Sequence, residues 1–212
     1  MDNPVIILGA KHLGMAAMEI FQRNQVVIYG FLDDDERLHG TEINFIPVLG
    51  RTEDDGFLKL IGKKCEAFVA IDDLALHKRL VKLLNERRKM MPVNAIHPLS
   101  YLADSATLGH GNFVGAQVAV NAMATIGNHT LLHAGAVIEY EAQVSDYVQI
   151  GAGAVIGANV IIEEGAFIGS GAVVVAGVRI GKQARVGAGS VVVASVDAGR
   201  TVFGNPAQLV QR

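Results

Sequence analysis

The sequence predicts an α/β domain at the N-terminus followed by an all-β parallel β-helix. Strand-like and helix-like segments alternate in the first part of the chain. Near residue 100 the composition shifts toward Gly, Ala and Val, and from there aliphatic residues recur at every sixth position. These observations place the two domains at 1–98 and 99–212.

The composition narrows the functional classes. Half of the 212 residues are hydrophobic and 18% are charged, so the chain can bury a core. The net charge of −3 gives no electrostatic reason to expect a nucleic acid or an anionic membrane as partner. The single cysteine, Cys65, excludes an internal disulfide and fits a reducing compartment. The N-terminal apolar run is too short for a signal peptide or a membrane span, so we expect a cytoplasmic protein.

A six-residue repeat organises the second domain without any insertion. The sixteen repeat positions, all aliphatic, are Leu102, Leu108, Val114, Val120, Ile126, Leu132, Ile138, Val144, Ile150, Ile156, Ile162, Ile168, Val174, Ile180, Val186 and Val192. The pattern indicates short strands joined by turns, each sending one aliphatic side chain into the core. Three faces make a coil, so residues 18 apart stack at the strand spacing of about 4.7–4.9 Å. A β-sandwich, the alternative, would show period-two alternation and irregular turn spacing.

Two further positions of the hexad are restricted. The residue after the aliphatic one is often glycine, which we expect to supply the unusual dihedral angles of the turn. The fifth residue is Ala, Ser, Thr or Val in every hexad except the one with Asn112, and it would fill the corner beside the core.

The first domain reads as strand, glycine turn and helix, with apolar residues at 4–8 and helical spacing over 14–23. The stretches "VVIYGFLDDD" and "AFVAIDD" predict two more strands, and residues 74–90 predict an amphipathic helix. Ligands of such sheets bind beyond the carboxyl ends of the strands, which indicates a nucleotide site around Gly9–Gly14 and Asp33–Asp35. The alternative is a loop without a ligand beside a solvated acidic turn. The turn "GAKHLG" lacks the middle glycine of the dinucleotide fingerprint, so NAD is not predicted.

Several stretches together resemble a known family. They are "VIILGA" and "YGFLDDD" in the first domain, the "IHP" junction, the uninterrupted hexads and the tail "VFGNPAQLVQR". This combination resembles the sialic acid O-acetyltransferase / UDP-4-amino-sugar N-acetyltransferase group of hexapeptide-repeat acyltransferases. The resemblance implies a Rossmann-like α/β N-terminal domain and a left-handed parallel β-helix. It also implies an acyl-CoA-dependent N- or O-acyltransferase that acts on a nucleotide-linked amino sugar or a sialic-acid-like sugar in surface glycan synthesis.

The resemblance also implies partners and site residues. Members of this group are typically homotrimers that bind acetyl-CoA as co-substrate in the groove between neighbouring helices. The substrate-binding positions implied for the nucleotide sugar are Gly9, His12, Asp33 and Asp34. The positions implied for acetyl-CoA are Gln149, Ala158, Ala176 and Pro206. Of these, Gln149 stands where the family has a second histidine.

The catalytic motif departs from the family pattern. The family sequence I-E-H-[DE], whose histidine is the base, reads Ile138-Glu139-Tyr140-Glu141 in this chain. Tyr140 and Glu141 are therefore the catalytic candidates. Glu141 supplies the carboxylate that orients the base in the family. A phenol ionises with a pKa of about 10 and is a poor base at neutral pH. Three hypotheses remain open: catalysis that involves Tyr140, catalysis by another histidine or by direct attack of a free amine, and a trimeric ligand-binding homologue without acyl transfer.

The turns between the strands of each predicted coil, its corners, indicate whether acetyl-CoA has room to bind. The column of residues above Tyr140 is small, with Ala158 and Ala176, which would leave room for a pantetheine arm and let the Ala158 amide act as an oxyanion donor. A second column of corners is equally small, so a general preference for alanine at corners explains the pattern as well.

A metal site needs several converging ligands, and the spacings of His110, His129 and His133 do not match the carbonic anhydrase class that uses this helix. No metal is predicted.

Overall fold

The computed structural model describes residues 3–210, and the chain divides into two compact units, Met1–Pro98 and Leu99–Arg212. No helix within the described range is long and apolar enough to cross a membrane.

The first unit is an α/β domain built on a five-stranded sheet. Its elements are β1 (Val5–Leu8), α1 (His12–Arg23), β2 (Ile28–Leu32), a 3-10 turn (Glu36–Leu38), β3 (Glu42–Ile43), β4 (Ile46–Gly50), α2 (Asp55–Leu58), β5 (Glu66–Val69), α3 (Leu74–Leu83), a π-helical segment (Leu84–Arg88) and β6 (Ala95–Ile96). The strand order is β3-β4-β2-β1-β5, with β4, β2, β1 and β5 parallel and β3 antiparallel to β4. The apolar strand β1 lies between β2 and β5 and is buried throughout, which explains its continuous run of aliphatic residues.

Two features of the first unit differ from the sequence predictions. Helix α1 begins at His12, earlier than predicted, and Gly14 lies inside it. A Cβ at Gly14 would lie 2.0 Å from the Gly9 carbonyl oxygen, so glycine is required for the helix to pack against the end of β1. The hairpin of β3 and β4 was not predicted, and its turn contains Asn44 and Phe45 at positive φ angles of 50° and 65°.

The second unit consists of short strands, one for each hexad. They are β7 (Tyr101–Leu102), β8 (Thr107–Leu108), β9 (Phe113–Val114), β10 (Ala119–Val120), β11 (Thr125–Ile126), β12 (Leu131–Leu132), β13 (Val137–Ile138), β14 (Gln143–Val144), β15 (Gln149–Ile150), β16 (Val155–Ile156), β17 (Ile161–Ile162), β18 (Phe167–Ile168), β19 (Val173–Val174), β20 (Arg179–Ile180), β21 (Arg185–Val186) and β22 (Val191–Val192), followed by β23 (Thr201–Phe203) and β24 (Gln208–Leu209). From β10 to β22, each strand pairs in parallel with the strand three before it, so that Ile138 lies beside Val120 and Ile156. The predicted spacing of 18 residues is confirmed, and the stacked sheets fit a left-handed parallel β-helix.

The hexad aliphatics form the core of this unit. All of them are buried except Leu102 and Leu108 in the first coil, which are half-buried. Asn112, the exception at the fifth position, is also buried. Its Oδ1 atom accepts hydrogen bonds from the Thr130 N–H at 2.7 Å and from the Thr130 hydroxyl at 2.9 Å. The Asn112 Nδ2 atom donates to the Gly127 carbonyl at 2.9 Å. Because both ends of the amide are hydrogen-bonded, the core tolerates a polar residue there.

The role predicted for the glycine after each aliphatic residue is wrong. None of these glycines has a positive φ angle. A Cβ at Gly151 would instead lie 2.4 Å from the Ser170 backbone nitrogen of the next coil, so glycine is needed for close approach of the coils. The left-handed conformation occurs two residues later, as at Gly153 and Glu141, with φ angles of 66° and 58°.

Candidate functional site

A pocket of about 430 Å³ opens at the carboxyl ends of β1, β2 and β5 in the first unit. Its lining combines an apolar part, Leu13, Ile71 and Leu76, with a polar rim. Five carboxylates belong to that rim: Asp33, Asp34, Asp35, Asp72 and Asp73. The location agrees with the general rule for ligand sites in parallel sheets.

Asp33 holds the backbone around this pocket. The residue is only 6% exposed, and its carboxylate accepts hydrogen bonds from the Ala10 N–H at 2.8 Å and the Asp35 N–H at 2.9 Å. Its carbonyl oxygen accepts a further bond from the His39 Nε2–H at 2.8 Å. Asp33 thereby ties the loop after β1 to the end of β2.

Asp34 and Asp35, which follow Asp33, differ in exposure and have different hydrogen-bond partners. The Oδ1 atom of the exposed Asp34 accepts from the Thr52 N–H at 3.0 Å and from the Thr52 hydroxyl at 2.8 Å. Asp35 accepts a two-pronged contact from the Arg37 guanidinium, at 2.9 Å from Nε and 2.7 Å from Nη2. This hydrogen-bonded contact holds the pKa of the Asp35 carboxyl well below its usual range.

The structure brings together three of the four predicted substrate-binding residues. Gly9, Asp33 and Asp34 all line the pocket, whereas His12 does not. His12 is the exposed first residue of α1. Sequence reasoning missed Thr52, which follows the unpredicted strand β4. It also missed Asp72, although this residue lies at the end of the predicted stretch "AFVAIDD" and the strand-end rule applied to it equally.

The catalytic candidates lie at one corner of the β-helix. Tyr140 is 53% exposed, and Glu141 follows it in the left-handed conformation. The Tyr140 carbonyl accepts from the Asn159 N–H at 3.2 Å, and the Glu141 N–H donates to the Ala122 carbonyl at 3.1 Å. Within residues 3–210 neither side chain makes a hydrogen bond or an ion pair. Glu141 therefore does not orient the Tyr140 hydroxyl within a single chain.

Ala158 and Ala176 stack in the same column as Tyr140, as predicted from the 18-residue spacing. The Ala158 carbonyl accepts from the Gly177 N–H at 2.9 Å, which links neighbouring coils. Its own N–H donates to no acceptor within the described residues, and neither does the N–H of Ala176. These two N–H groups can therefore donate to a ligand. The same is true of N–H groups at several other corners of the β-helix.

The other two positions expected to bind acetyl-CoA lie elsewhere in this unit. Gln149 is on strand β15, and its Nε2 atom is 3.1 Å from Nε2 of His133. The ring of His133 in turn lies 6.0 Å from the Phe113 ring, measured between centroids. Pro206 is exposed in the turn between β23 and β24.

The histidines of the repeats form no metal centre within the described residues. No group of three or more His, Cys, Asp or Glu side chains among them is arranged to hold a metal ion. His129 is buried and stacks on Tyr147, with ring centroids 5.0 Å apart.

Comparison with known proteins links both units to acyltransferases. The family model for the bacterial transferase hexapeptide, with six repeats, matches residues 159–194. A variant of GDP-perosamine N-acetyltransferase from Caulobacter crescentus, solved with CoA and GDP-perosamine, is 29% identical with a TM-score of 0.90, covering 100% of this chain and 99% of that chain. The resemblance to this group of hexapeptide-repeat acyltransferases is confirmed.

Two further solved structures extend the likeness over nearly the whole chain. WeeI from Acinetobacter baumannii AYE is 28% identical with a TM-score of 0.87, covering 98% of this chain and 99% of that chain. The acetyltransferase domain of PglB from Neisseria gonorrhoeae FA1090 is 25% identical with a TM-score of 0.89, covering 99% of this chain and 100% of that chain. A search of curated proteins found no match.

Proposed function

We propose that this chain is an acyl-CoA-dependent sugar acyltransferase that moves an acetyl group from acetyl-CoA to the amine of a nucleotide-linked amino sugar. The observation that carries the proposal is the similarity, over the whole chain, to an N-acetyltransferase solved with CoA and GDP-perosamine. O-acetylation of a sialic-acid-like sugar is the alternative transfer within the same group.

The proposed reaction assigns a task to each candidate site. The amine nitrogen bonds to the acetyl carbon, the C–S bond breaks, and CoA leaves with the proton that the amine loses. Corner amides such as that of Ala158 stabilise the negative charge that develops on the carbonyl oxygen. The pocket that contains Gly9 and Asp34 holds the nucleotide of the acceptor. Tyr140 donates a hydrogen bond to the reacting groups rather than serving as a strong base.

We further propose that the protein acts as a homotrimer in the cytoplasm. One face of the β-helix supports self-association because its outward positions are apolar on successive coils. These positions are Val137, Val155, Val173 and Val191. Val173 is exposed and the other three are half-buried, and a row of partly exposed apolar side chains of this kind is typical of a protein interface.

The test is release of CoA thiol, followed with a thiol reagent. The purified chain is mixed with acetyl-CoA and GDP-perosamine, with reactions that lack the acceptor as the background. We expect acceptor-dependent thiol release and an acetylated sugar of the corresponding mass. The same assay with UDP- and dTDP-linked 4-amino sugars defines the acceptor range. No release with any of these acceptors contradicts the proposed function and supports a ligand-binding protein.

The substitution Tyr140→His separates the catalytic hypotheses. If it creates activity that the parent lacks, the chain is a binding protein that retains the acyltransferase scaffold. If the parent is active and Tyr140→His is no better, proton transfer does not depend on an imidazole at this corner. Tyr101→His is the matched control, because Tyr101 is also an exposed tyrosine of the β-helix but lies on strand β7.

A further inference from the structure

His133 lies in the β-helix at a turn that borders the row of valines proposed above for self-association. The outward surface of these residues, here called the valine face, belongs to one sheet and consists of Val137, Val155, Val173 and Val191. The chain enters this sheet through the turn between β12 and β13, which contains His133. It leaves through the turn between β13 and β14, which contains Tyr140. The two residues therefore lie at opposite edges of the valine face within one copy.

The other histidines of the β-helix are at a different corner. His110 and His129 lie in the turns after β8 and β11, between the sheet that contains β14 and the eight-stranded sheet. His129 is only 3% exposed and stacks on Tyr147, so it is shielded from a substrate. Of the three histidines in this unit, His133 is the one that borders the valine face.

The surroundings of the His133 ring suit proton transfer. The residue is half-buried, and its Nε2 atom is 3.1 Å from Nε2 of Gln149 on the next coil. A carboxamide can donate to an unprotonated ring nitrogen through its NH2 group and, after rotation, accept from an imidazolium through its oxygen. Gln149 can thus hold the ring in both protonation states. Gly115 and Gly151 occupy the same turn position in the adjacent coils, so no side chain projects beside the ring from that position.

Three-fold association through the valine face would bring His133 of one copy to Tyr140 of the next. In a cyclic trimer every contact is head-to-tail. When the three valine faces are directed at the axis, the entry edge of each face adjoins the exit edge of the next face. Both residues belong to the same coil, so with the axis along the stack of coils their heights differ by less than the strand spacing of about 4.8 Å. Side chains that are apart in one chain thus meet at each junction between copies.

We propose that His133 of one copy is the catalytic base for the amine that binds beside Tyr140 of the next copy. The inference rests on the proposed function and the proposed homotrimer, and it names a proton acceptor that Tyr140 does not provide. As the amine nitrogen bonds to the acetyl carbon, the imidazole takes the amine proton. As the C–S bond breaks, the imidazolium returns that proton to the sulfur of CoA. An imidazole ordinarily has a pKa of about 6.5, which suits both steps near neutral pH.

The thiol-release assay with His133→Gly tests the assignment of the base. Glycine is the residue of the adjacent coils at this position, so the variant should keep the fold, which thermal unfolding verifies. We expect kcat to fall at least about 100-fold, because general acid–base catalysis contributes on the order of 100-fold or more. His133→Asn, which also lacks a base, should lose activity to the same extent.

Added imidazole separates a base from a merely structural residue. It should restore part of the rate of His133→Gly, in proportion to the unprotonated fraction of the added imidazole. His110→Asn is the matched control, because His110 is exposed at the other corner and the next coil has Asn128 at the same position. This variant should retain the parental rate and should not respond to imidazole.

Disulfide cross-linking tests the contact between copies without requiring turnover. A chain that carries both His133→Cys and Tyr140→Cys should form covalent dimers and trimers under oxidising conditions, since a disulfide requires Cα atoms within about 7 Å. The products are separated on a non-reducing denaturing gel. The native Cys65 is only 1% exposed, so it should not take part.

The control for cross-linking combines Tyr140→Cys with Ser145→Cys. Ser145 follows a core aliphatic residue of the same coil, as His133 does, but it lies in the turn after β14, away from the valine face. This control should migrate as a monomer on the same gel.

The outcomes distinguish this inference from the proposed function. If the parent releases CoA and His133→Gly keeps the parental rate, or imidazole restores none of a lost rate, the base is not His133 and acyl transfer stands. Absence of cross-linked chains in the His133→Cys/Tyr140→Cys variant, or equal cross-linking of the control, overturns the meeting of the two residues. Cross-linking without acceptor-dependent CoA release by the parent upholds the contact between copies. The same result overturns the proposed function and the role of His133 as its base.

Discussion

The backbone N–H of Ala10 donates a 2.8 Å hydrogen bond to the carboxylate of Asp33. In dinucleotide-binding loops, N–H groups at the start of the helix are directed at a phosphate. Here the carboxylate of Asp33 accepts from the N–H of Ala10, two residues before α1 begins, and the loop lacks the middle glycine of that fingerprint. The sequence grouped Asp33 with Asp34 as substrate-binding, whereas the structure shows that Asp33 is buried and Asp34 exposed.

Replacing Asp33 should destabilise the first unit. Asp33→Ala leaves the Ala10 and Asp35 N–H groups without their acceptor, and we expect the free energy of unfolding to fall by about 2–3 kcal/mol. The α-helices of the described residues all lie in this unit, so urea unfolding followed by helical circular dichroism reports on it. Asp55→Ala, at an exposed position, should change the free energy by less than about 0.5 kcal/mol. Similar losses in both variants would rule out the structural role of Asp33.

The two kinds of glycine in the hexads should respond differently to substitution. Gly151→Ala places a methyl group against the Ser170 backbone, and we expect a loss of about 3 kcal/mol in the stability of the β-helix. Gly153→Asn should cost less than about 1 kcal/mol, because asparagine tolerates a positive φ and Gly153 has open space around its Cβ direction. Thermal unfolding followed in the strand region of the circular dichroism spectrum compares them. A larger loss in Gly153→Asn would contradict the close-approach explanation.

The buried Asn112 should be energetically coupled to Thr130. Asn112→Ala removes the acceptor of two hydrogen bonds, and we expect a loss of about 1–3 kcal/mol. A double-mutant cycle with Thr130→Val, measured by chemical denaturation, should give a coupling energy of at least about 0.5 kcal/mol. Additive losses would indicate that the two side chains contribute independently.

The buried His77 should make the stability of the first unit depend on pH. Burial lowers the pKa of its imidazole, while its bond to the Ile71 carbonyl partly offsets the effect. The unfolded chain, in which histidine has a pKa of about 6.5, therefore binds the proton more readily than the folded chain. The free energy of unfolding should fall as the pH drops from about 7 and level off below the folded-state pKa. The free energy of unfolding is measured with urea at several pH values in this range. Its dependence on pH should be weaker for His77→Gln than for the parent, and it should be unchanged for His12→Gln, the control at an exposed site.

The β-helix could be predicted from the sequence because each of its strands is specified within six residues. With no insertion between hexads, the spacing of 18 residues also placed Tyr140, Ala158 and Ala176 in one column. The spacing could not show that Gln149 contacts His133, because that contact depends on side-chain conformation. It also could not distinguish a glycine that avoids a clash from one that supplies a positive φ.

The first unit was less predictable because its hydrogen bonds connect distant parts of the chain. Thr52 approaches Asp34 only after β4 has paired with β2, and the hairpin that delivers β4 has no strong periodic signal. The strands that precede Asp34 and Asp72 were predicted, yet their order in the sheet was not. Only the folded structure therefore shows that both carboxylates line the pocket.

The constant spacing of 18 residues also has a consequence for folding kinetics. From β10 to β22, each strand finds its preceding partner at the same short separation along the chain, as Val137 does with Ala119. Closing such a loop has a modest entropic cost, and it is the same for every coil. Folding of this unit can therefore start at any coil and propagate to its neighbours, as in other solenoids, without waiting for contacts between distant segments.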